Sequence, residues 1–252
     1  MAVYPSLDGK TVLITGGGDG IGAAMVTAFA WQGADVVFVD IDPGASERVA
    51  AQVTDLGLRT PRFAACDLRD VEASVAAVTS LLDGRTVHAL VNNAGNDAAQ
   101  PLDEVTVADW DDRVAVNLRH QFFLAQAVAP AMRKAKGGSI VNLGSISWMI
   151  GATGLPVYTT LKSAVSGLTK SLARELGGDG IRVNAIAPGW VLTKRQLAKG
   201  QADPSKFTRY LERQCLKAHL YPEHIAEMAL WLCADESAMC TGQTLILDGG
   251  VV

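Results

Sequence analysis

The feature that most constrains the fold of this chain is a regular alternation of short β-branched runs with longer amphipathic stretches rich in Ala and Leu. Runs that are apolar on both faces favour strands buried between two layers of helices, as in a parallel sheet. The pattern predicts seven strands, at residues 11–15, 35–39, 62–66, 87–91, 139–143, 181–186 and 244–247. It predicts helices at residues 23–31, 45–56, 71–82, 107–135, 158–176 and 223–233. We therefore expect one α/β domain over residues 1–252, with a doubly wound parallel sheet and helices on both faces.

Two stretches depart from this alternation. Pro130 lies inside the longest predicted helix, where a proline kinks or shortens the helix. Residues 190–222 are polar and basic and interrupt the pattern of strands and helices. A loop of that length in a compact domain is usually a lid or a binding element. We therefore predict that residues 190–222 form a lid over a substrate.

Composition and charge exclude several classes of protein. The chain has 252 residues, of which 49% are apolar and 19% charged, and this is too hydrophobic for a disordered chain. Its net charge of −4 argues against a nucleic-acid partner. No apolar run is long enough to span a membrane, and residues 1–8 lack the features of a signal peptide. The four cysteines form no CxxC pair and the four histidines no HxxxH pair, so we expect free thiols, no metal site and a cytoplasmic location.

A glycine-rich segment, TGGGDGIG at residues 15–22, joins the first predicted strand to the first predicted helix. Gly16, Gly20 and Gly22 follow the spacing G-x-x-x-G-x-G rather than G-x-G-x-x-G. Without side chains, the backbone can turn tightly and approach a pyrophosphate, which the free N–H groups of the helix N-terminus attract. The segment is therefore either the dinucleotide-binding loop of a Rossmann-type fold or an ordinary glycine-rich turn.

Acidic residues after the second and third predicted strands bear on the cofactor. Asp40 lies where a carboxylate can accept hydrogen bonds from both hydroxyls of an adenosine ribose and repel a 2′-phosphate. Because neither the glycine loop nor position 41 carries Lys or Arg, we predict NAD rather than NADP as the cofactor. Asp42 is an alternative, although a solvent-facing position before Pro43 suits it better. Asp67 is placed to contact the adenine amino group, to cap the next helix, or to do both.

Tyr158 and Lys162 are four residues apart in a predicted helix and therefore share one of its faces. An ammonium group near a phenol favours the phenolate, so Lys162 is expected to lower the pKa of Tyr158 and make it a proton acceptor near neutral pH. Ser145 follows the fifth predicted strand at the carboxyl edge of the sheet, where open α/β sheets bind ligands. The three residues predict an active site at this edge.

Two groups of asparagines accompany these residues. Asn93, Ala94 and Gly95 follow the fourth predicted strand at the same edge of the sheet, where they either contact a ligand or form a polar turn. Asn117 lies among apolar residues of the longest predicted helix. A buried asparagine needs hydrogen-bond partners, so Asn117 is either a structural hub or a member of a proton relay.

With these motifs in order, the chain resembles the short-chain dehydrogenase/reductase family over its whole length. The resemblance is carried by TGGGDGIG at 15–22, Asp67, NNAG at 92–95, Asn117, Ser145, Tyr158 with Lys162, Pro188-Gly189 and TGQ…DGG at 241–250. It implies a catalytic tetrad of Asn117, Ser145, Tyr158 and Lys162, and a homotetramer. It also implies contacts to the cofactor from Gly16, Asp19, Gly20, Ile21, Gly22, Asp40, Asp67, Leu68, Asn93, Ala94, Gly95, Tyr158, Lys162, Pro188, Gly189, Val191 and Thr193.

Within that family the chain is similar to sugar dehydrogenases that oxidise aldoses at C1. This narrower resemblance is carried by YPSL at 4–7, NNAGND at 92–97, VNLRH at 116–120, GSISW at 144–148, TKRQ at 193–196 and QCLK at 214–217. It implies a sugar substrate, for which the predicted contacts are Asn96, Asp97, Ser145, Ser147, Trp148, Tyr158, Trp190, Arg195, Gln196 and Gln214.

Several of these residues have a purely structural alternative. Trp148 and Trp190 either stack on the apolar face of a pyranose or cap the core. Asp97 and Arg195 either contact the sugar or form a surface ion pair. A histidine such as His120 is more often a packed core residue than a general base.

The expected reaction is transfer of hydride from C1 of the sugar to NAD+, with Tyr158 taking the proton of the anomeric hydroxyl. Ser145 is expected to anchor that hydroxyl, and the product would be an aldonolactone. One alternative is a 3-oxoacyl carrier-protein reductase that uses NADPH, or another short-chain dehydrogenase that acts on an alcohol or ketone. An alternative of another class is a non-catalytic NAD-binding scaffold. Asp40 argues against the reductase, and the complete tetrad argues against the scaffold.

Overall fold

The computed structural model describes residues 2–201, 203 and 205–252, with the side chains of 199–201 left undescribed. Seven parallel strands form one sheet with the order β3-β2-β1-β4-β5-β6-β7. The strands are β1 Thr11–Thr15, β2 Asp35–Asp40, β3 Arg62–Ala65, β4 Ala89–Asn92, β5 Gly138–Leu143, β6 Ile181–Pro188 and β7 Thr244–Leu247. The strand order reverses between β1 and β4. In open α/β sheets this reversal leaves a crevice at the carboxyl ends of the strands.

Helices cover both faces of the sheet. They are α1 Gly20–Trp31, α2 Pro43–Asp55, α3 Val71–Leu82, α4 Val107–Val114, α5 His120–Lys134, α6 Pro156–Leu176, α7 Lys194–Gln201, α8 Ser205–Arg213 and α9 Pro222–Cys233. One apolar layer contains Phe29, Phe38 and Ile225, and the opposite layer contains Leu124 and Met132. The predicted α/β fold, with a single seven-stranded Rossmann-type sheet, is confirmed.

The longest predicted helix, residues 107–135, is in fact two helices. A π-helical turn, Ala115–Arg119, separates α4 from α5. Such turns occur mostly as single-turn bulges at functional sites, and this one contains Asn117. Pro130 does not end α5, which continues to Lys134. Pro130 and Gln126 are both exposed, so water can satisfy the carbonyl group that the proline leaves without a donor.

Residues 190–222 were predicted as a lid without regular structure, but they contain helices α7 and α8. Residues 202 and 204 of this lid lie outside the described residues. In α8, Phe207, Tyr210 and Leu211 follow the i, i+3, i+4 spacing of an amphipathic helix. The many charges around them conceal that pattern in the sequence. Among the described residues, no helix is long and apolar enough to cross a membrane.

Candidate active site

A cavity of about 700 Å³ opens at the carboxyl edge of the sheet, beside the point where the strand order reverses. The predicted cofactor residues that line it are Gly16, Asp19, Gly20, Ile21, Asp40, Asp67, Leu68, Asn93, Ala94, Gly95, Tyr158, Lys162, Pro188, Gly189, Val191 and Thr193. The predicted substrate residues that line it are Asn96, Asp97, Ser145, Ser147, Tyr158, Trp190, Arg195 and Gln196. Residues from distant parts of the sequence therefore share one cavity.

Four predicted site residues do not line the cavity. Gly22 packs against the carbonyl oxygen of Gly16, and Asn117 is hydrogen-bonded to Asn96. Gly16 and Asn96 both line the cavity. Trp148 is 38% exposed on the surface, and Gln214 is buried beneath the chain terminus. The Gln214 side chain donates hydrogen bonds to the carbonyl oxygens of Asp248 (3.1 Å) and Ala218 (3.3 Å). Trp148 and Gln214 therefore do not line this cavity, and their contact with a substrate stays a prediction.

The glycine loop is shaped by backbone packing that excludes side chains. Gly16 has a φ of +68°, which a side chain disfavours, and a Cβ there would lie 3.0 Å from the Cα of Ala94. A Cβ on Gly22 would lie 1.8 Å from the carbonyl oxygen of Gly16. Asp19 precedes α1 without capping it, so the N–H groups of the first helical turn remain available at the cavity. This cradle fits a pyrophosphate.

The carboxylate of Asp40 is held in place at the end of β2. Its two oxygens accept hydrogen bonds from the backbone N–H groups of Gly18 (2.8 Å) and Asp42 (3.0 Å). The alternative cofactor ligand, Asp42, instead caps α2 by accepting a 2.9 Å hydrogen bond from the N–H of Ala45. The described structure thus leaves Asp40 as the fixed negative charge at the place predicted for a ribose.

Asp67 lies beside an arginine that the sequence prediction missed. The backbone N–H of Arg69 donates to Asp67 at 3.0 Å and its guanidinium at 2.9 Å, while Arg69 Nε contacts Asp112 at 2.7 Å. The hydrogen bond from the Arg69 N–H is the main reason that the pKa of Asp67 lies below its usual value. The cap of α3 is Asp70, so the alternative role of Asp67 as a helix cap is wrong.

Asn93 ties the loop after β4 to the glycine loop. Its side-chain nitrogen donates to the carbonyl oxygens of Thr15 (2.9 Å) and Gly16 (3.0 Å). The Thr15 hydroxyl in turn accepts hydrogen bonds from the N–H groups of Asn93 and Ala94, both at 3.0 Å. Asn93 therefore maintains the shape of the cofactor cradle as well as lining it.

Ser145 and Tyr158 come together at the deep end of the cavity. The neighbouring Ser145 hydroxyl lowers the pKa of the Tyr158 phenol, but the stronger effect of burial raises it above its usual value. The Ser145 hydroxyl also accepts a 3.1 Å hydrogen bond from the N–H of Ser147. The Oγ atom of Ser147 is itself buried in this wall and, within the described chain, has no hydrogen-bond partner.

Lys162 is 3% exposed and lies beneath the same end of the cavity. Its Nζ donates a 2.7 Å hydrogen bond to the carbonyl oxygen of Leu143 and lies 5.6 Å from the centroid of the Tyr158 ring. Burial lowers the pKa of Lys162 to about 8. Burial outweighs any stabilisation that Lys162 gives to the Tyr158 phenolate, so the net pKa of Tyr158 lies above its usual value and not below it as the sequence predicts.

Asn117 is fully buried in the π-helical turn. Its Oδ1 accepts from the N–H of Asn96 at 2.9 Å, and its Nδ2 donates to the carbonyl oxygens of Asn96 (3.3 Å) and Arg113 (3.1 Å). Its own carbonyl oxygen accepts from Gln121 Nε2 at 3.2 Å. Of the two roles left open by the sequence, these contacts match the structural hub, which holds the loop containing Asn96.

His120 begins α5 directly after this turn and is 1% exposed. Burial, with the charge of Lys162 as the second cause, lowers its pKa to about 4. The imidazole is therefore neutral near pH 7, which agrees with a packed core histidine.

Comparisons with known proteins agree with this geometry. A family profile described as enoyl-(acyl carrier protein) reductase matches residues 16–252. The chain is 45% identical to a D-xylose 1-dehydrogenase of Caulobacter vibrioides over 249 residues, covering 99% of this chain and 98% of the relative. It is 48% identical to a probable galactose dehydrogenase of Rhizobium meliloti over 253 residues, covering 98% and 97%.

Solved structures show the same fold. The crystal structure of an Agrobacterium tumefaciens 3-oxoacyl (acyl-carrier-protein) reductase with NADP bound aligns with a TM-score of 0.91 at 30% identity, over 98% of this chain and 96% of that chain. A Brucella melitensis 3-oxoacyl-[acyl-carrier protein] reductase with NAD bound gives 0.87 at 35% identity, over 99% and 93%. The chain belongs to the short-chain dehydrogenase/reductase family of oxidoreductases.

Proposed function

We propose that this protein oxidises the C1 hydroxyl of a free aldose to the aldonolactone, with NAD+ as the oxidant. The observation that carries the proposal is the Ser145–Tyr158 pair, which shares one cavity with polar side chains of the loop after β4 and of α7. A sugar needs many hydrogen-bond partners, and a polar wall supplies them. The similarity to enzymes named for D-xylose and galactose supports the same substrate class.

The residues around the cavity fit a nicotinamide dinucleotide. The glycine cradle and the open N-terminus of α1 suit the pyrophosphate, and Asp40 suits the adenosine ribose. A 2′-phosphate would place a second negative charge against the Asp40 carboxylate, so we propose a preference for NAD over NADP. When bound, the cofactor would supply the hydride acceptor.

Side chains of the protein would then remove the proton of the anomeric hydroxyl. After its own proton has passed to solvent, the Tyr158 phenolate accepts the proton of the anomeric hydroxyl. Ser145, whose hydroxyl favours that phenolate, orients the sugar hydroxyl. Lys162 lies close enough for its charge to stabilise the phenolate once a proton leaves Tyr158. Asn117 keeps the loop that carries Asn96 in position at the cavity.

A panel of aldoses tested with NAD+ and NADP+, followed by absorbance of the reduced cofactor, tests the proposal. We expect at least one pentose or hexose to be oxidised, with a higher kcat/KM for NAD+ than for NADP+. Activity towards a 3-oxoacyl thioester with NADPH, and towards no aldose, would overturn it in favour of the carrier-protein reductase. Lack of turnover with every substrate of both classes would favour the non-catalytic scaffold.

We propose in addition that residues 190–222 act as the substrate lid and that the chain assembles into a homotetramer in the cytoplasm. Exposed apolar side chains on and just before α4 and α5 support an interface there, namely Leu102, Val107, Trp110 and Phe122. The four cysteines are free thiols, as in a reducing compartment. Light scattering of the purified protein after size-exclusion chromatography tests the tetramer.

A further inference from the structure

One carboxylate connects the two sides of the cavity mouth. Asp97, in the loop after β4, accepts a 2.7 Å hydrogen bond from Gln196 Nε2 and another from the guanidinium group of Arg195. Both partners lie on α7, nearly 100 residues further along the chain. The three side chains also line the cavity. The lid is therefore joined to the sheet edge by a polar bridge at the site itself.

Gln196 also contacts an aromatic ring, that of Trp190. Its Oε1 accepts a 3.1 Å hydrogen bond from the indole Nε1 of Trp190, so the same amide group contacts both Asp97 and the indole. The Trp190 ring stacks on Phe207 of α8, with centroids 5.2 Å apart and planes 8° from parallel. The hydroxyl of Tyr210 accepts a 2.7 Å hydrogen bond from the backbone N–H of Trp190 and so holds the main chain that carries the indole. The indole is thus fixed in its plane and along its edge.

At its other end, the bridge reaches the π-helical turn. Asp97 directly follows Asn96, whose N–H and carbonyl groups both bond to the side chain of Asn117. Consecutive contacts therefore run from Asn117 through Asn96, Asp97 and Gln196 to Trp190. A shift of Asp97 would therefore change the position of Trp190 as well as that of the loop after β4.

Burial separates the two arms of the bridge. The Arg195 side chain is 50% exposed, and an ion pair in that environment contributes little. The Gln196–Asp97 and Gln196–Trp190 hydrogen bonds are partly buried, where losing a partner leaves polar atoms without their bonds. The two hydrogen bonds of Gln196, rather than the ion pair of Arg195, therefore fix the position of Trp190.

We propose that Asp97 and Gln196 are positioning residues that set the orientation of Trp190, and that this orientation determines how tightly the sugar binds. The inference rests on the proposed function, because it assigns Trp190, in the wall of the same cavity, as a contact for a monosaccharide ring. An indole held still can lie against the C–H face of a pyranose, whereas a rotating one cannot. The positioning pair would therefore affect KM for the sugar more than KM for the cofactor.

The test compares Asp97→Ala, Gln196→Ala and the double variant in the full-length protein. Arg209→Ala, which removes an ion pair with Asp203 on the same lid but away from the cavity, is the matched control. We expect both single variants to raise the sugar KM about tenfold while KM for NAD+ changes less than about twofold. The double variant should be no worse than either single variant, because one bridge is lost in all three.

A second measurement needs no sugar. Acrylamide quenching of tryptophan fluorescence, with Trp190→Phe as the reference that isolates the Trp190 signal, reports access to the indole. Asp97→Ala and Gln196→Ala should increase quenching of Trp190, and Arg209→Ala should not. Quenching that stays at the wild-type level, an unchanged sugar KM, or effects that multiply in the double variant would each overturn the proposal. If the wild-type enzyme oxidises no aldose, the proposed function fails, and quenching alone decides whether the bridge positions the indole.

Discussion

The ammonium group of Lys162 donates a 2.7 Å hydrogen bond to the carbonyl oxygen of Leu143, at the end of β5. The sequence predicts Lys162 as a partner of Tyr158, yet its shortest described contact is with the backbone of the sheet. Lys162 therefore also fastens α6 to the strand that leads to Ser145.

Removing the hydroxyl group of Tyr158 should greatly reduce turnover and leave cofactor binding nearly unchanged. Tyr158→Phe keeps the ring but deletes the only proposed proton acceptor, so we expect kcat to fall by about 10²–10⁴-fold. The Kd for NADH, from fluorescence titration, should change less than about threefold. Tyr4→Phe, at a tyrosine packed against the core away from the cavity, is the control. Undiminished turnover in Tyr158→Phe would remove Tyr158 from the mechanism.

Burial of Lys162 makes a prediction about stability and pH. Its folded-state pKa of about 8 lies below its usual value of 10.5, so between these values the unfolded chain binds more protons. The cost of burying this ammonium is thus full below about pH 8 and disappears as the pH rises towards 10.5. Compared with Lys162→Met, the wild type should gain about 3 kcal/mol in free energy of unfolding across that window.

Urea denaturation at pH 7, 9 and 10 measures this difference. Lys170→Met, which removes an exposed lysine from the same helix, controls for loss of a positive charge. A wild-type-minus-mutant difference that is flat with pH would mean that Lys162 keeps its proton in the folded state throughout the range.

Cofactor preference should depend on Asp40. Asp40→Ala removes the carboxylate that is expected to bind the ribose hydroxyls and to repel a 2′-phosphate. We expect the ratio of kcat/KM for NAD+ to that for NADP+ to fall by about tenfold or more. Asp42→Ala is the matched comparison, since Asp42 caps α2. It should lower the free energy of unfolding by about 1 kcal/mol and leave the ratio unchanged. Equal ratios in wild type and Asp40→Ala would contradict the assignment.

Two glycine-to-alanine changes should have opposite effects on stability. In Gly22→Ala the new Cβ would meet the carbonyl oxygen of Gly16 at 1.8 Å, so α1 has to move away from the glycine loop. We expect a loss of about 3 kcal/mol or more and a loss of NADH binding. In Gly167→Ala, within α6, the Cβ meets nothing within 4 Å, and helix propensity favours alanine by about 0.5–1 kcal/mol. Thermal and urea unfolding measure both, and a stable Gly22→Ala would contradict the packing argument.

The fold could be predicted closely from the sequence because each strand and most helices have their own local apolar pattern, and the same pattern repeats along the chain. Most strands are apolar runs rich in β-branched residues, and the observed strand ends lie within two residues of the predicted ones. The π-helical turn was missed because inserting one wider turn hardly changes the apolar spacing between residues 107 and 135. The helix α8 was missed because Phe207, Tyr210 and Leu211 stand among many charged residues.

The site was predicted less evenly. Residues that follow strands were placed correctly, since topology alone brings Asp40, Asn93 and Ser145 to one edge. Gln214 and Trp148 were assigned by resemblance, and the tertiary packing of the terminus and of the surface puts them elsewhere. Arg69 and Tyr210 were missed because their positions depend on contacts between distant segments.

The contact between Gly18 and Asp40 ties two positions of the chain to one another. A Cβ on residue 18 would lie 2.9 Å from the carboxyl carbon of Asp40 and 3.2 Å from the Cβ of Ala45, so a side chain at 18 requires the aspartate to move. A shorter residue at position 40 removes the nearer of these two obstacles and leaves the contact with Ala45, which needs only a small shift. A change towards NADP use that adds a basic side chain at position 18 would therefore be easier if residue 40 changed first, because the reverse order passes through an intermediate in which residue 18 crowds Asp40.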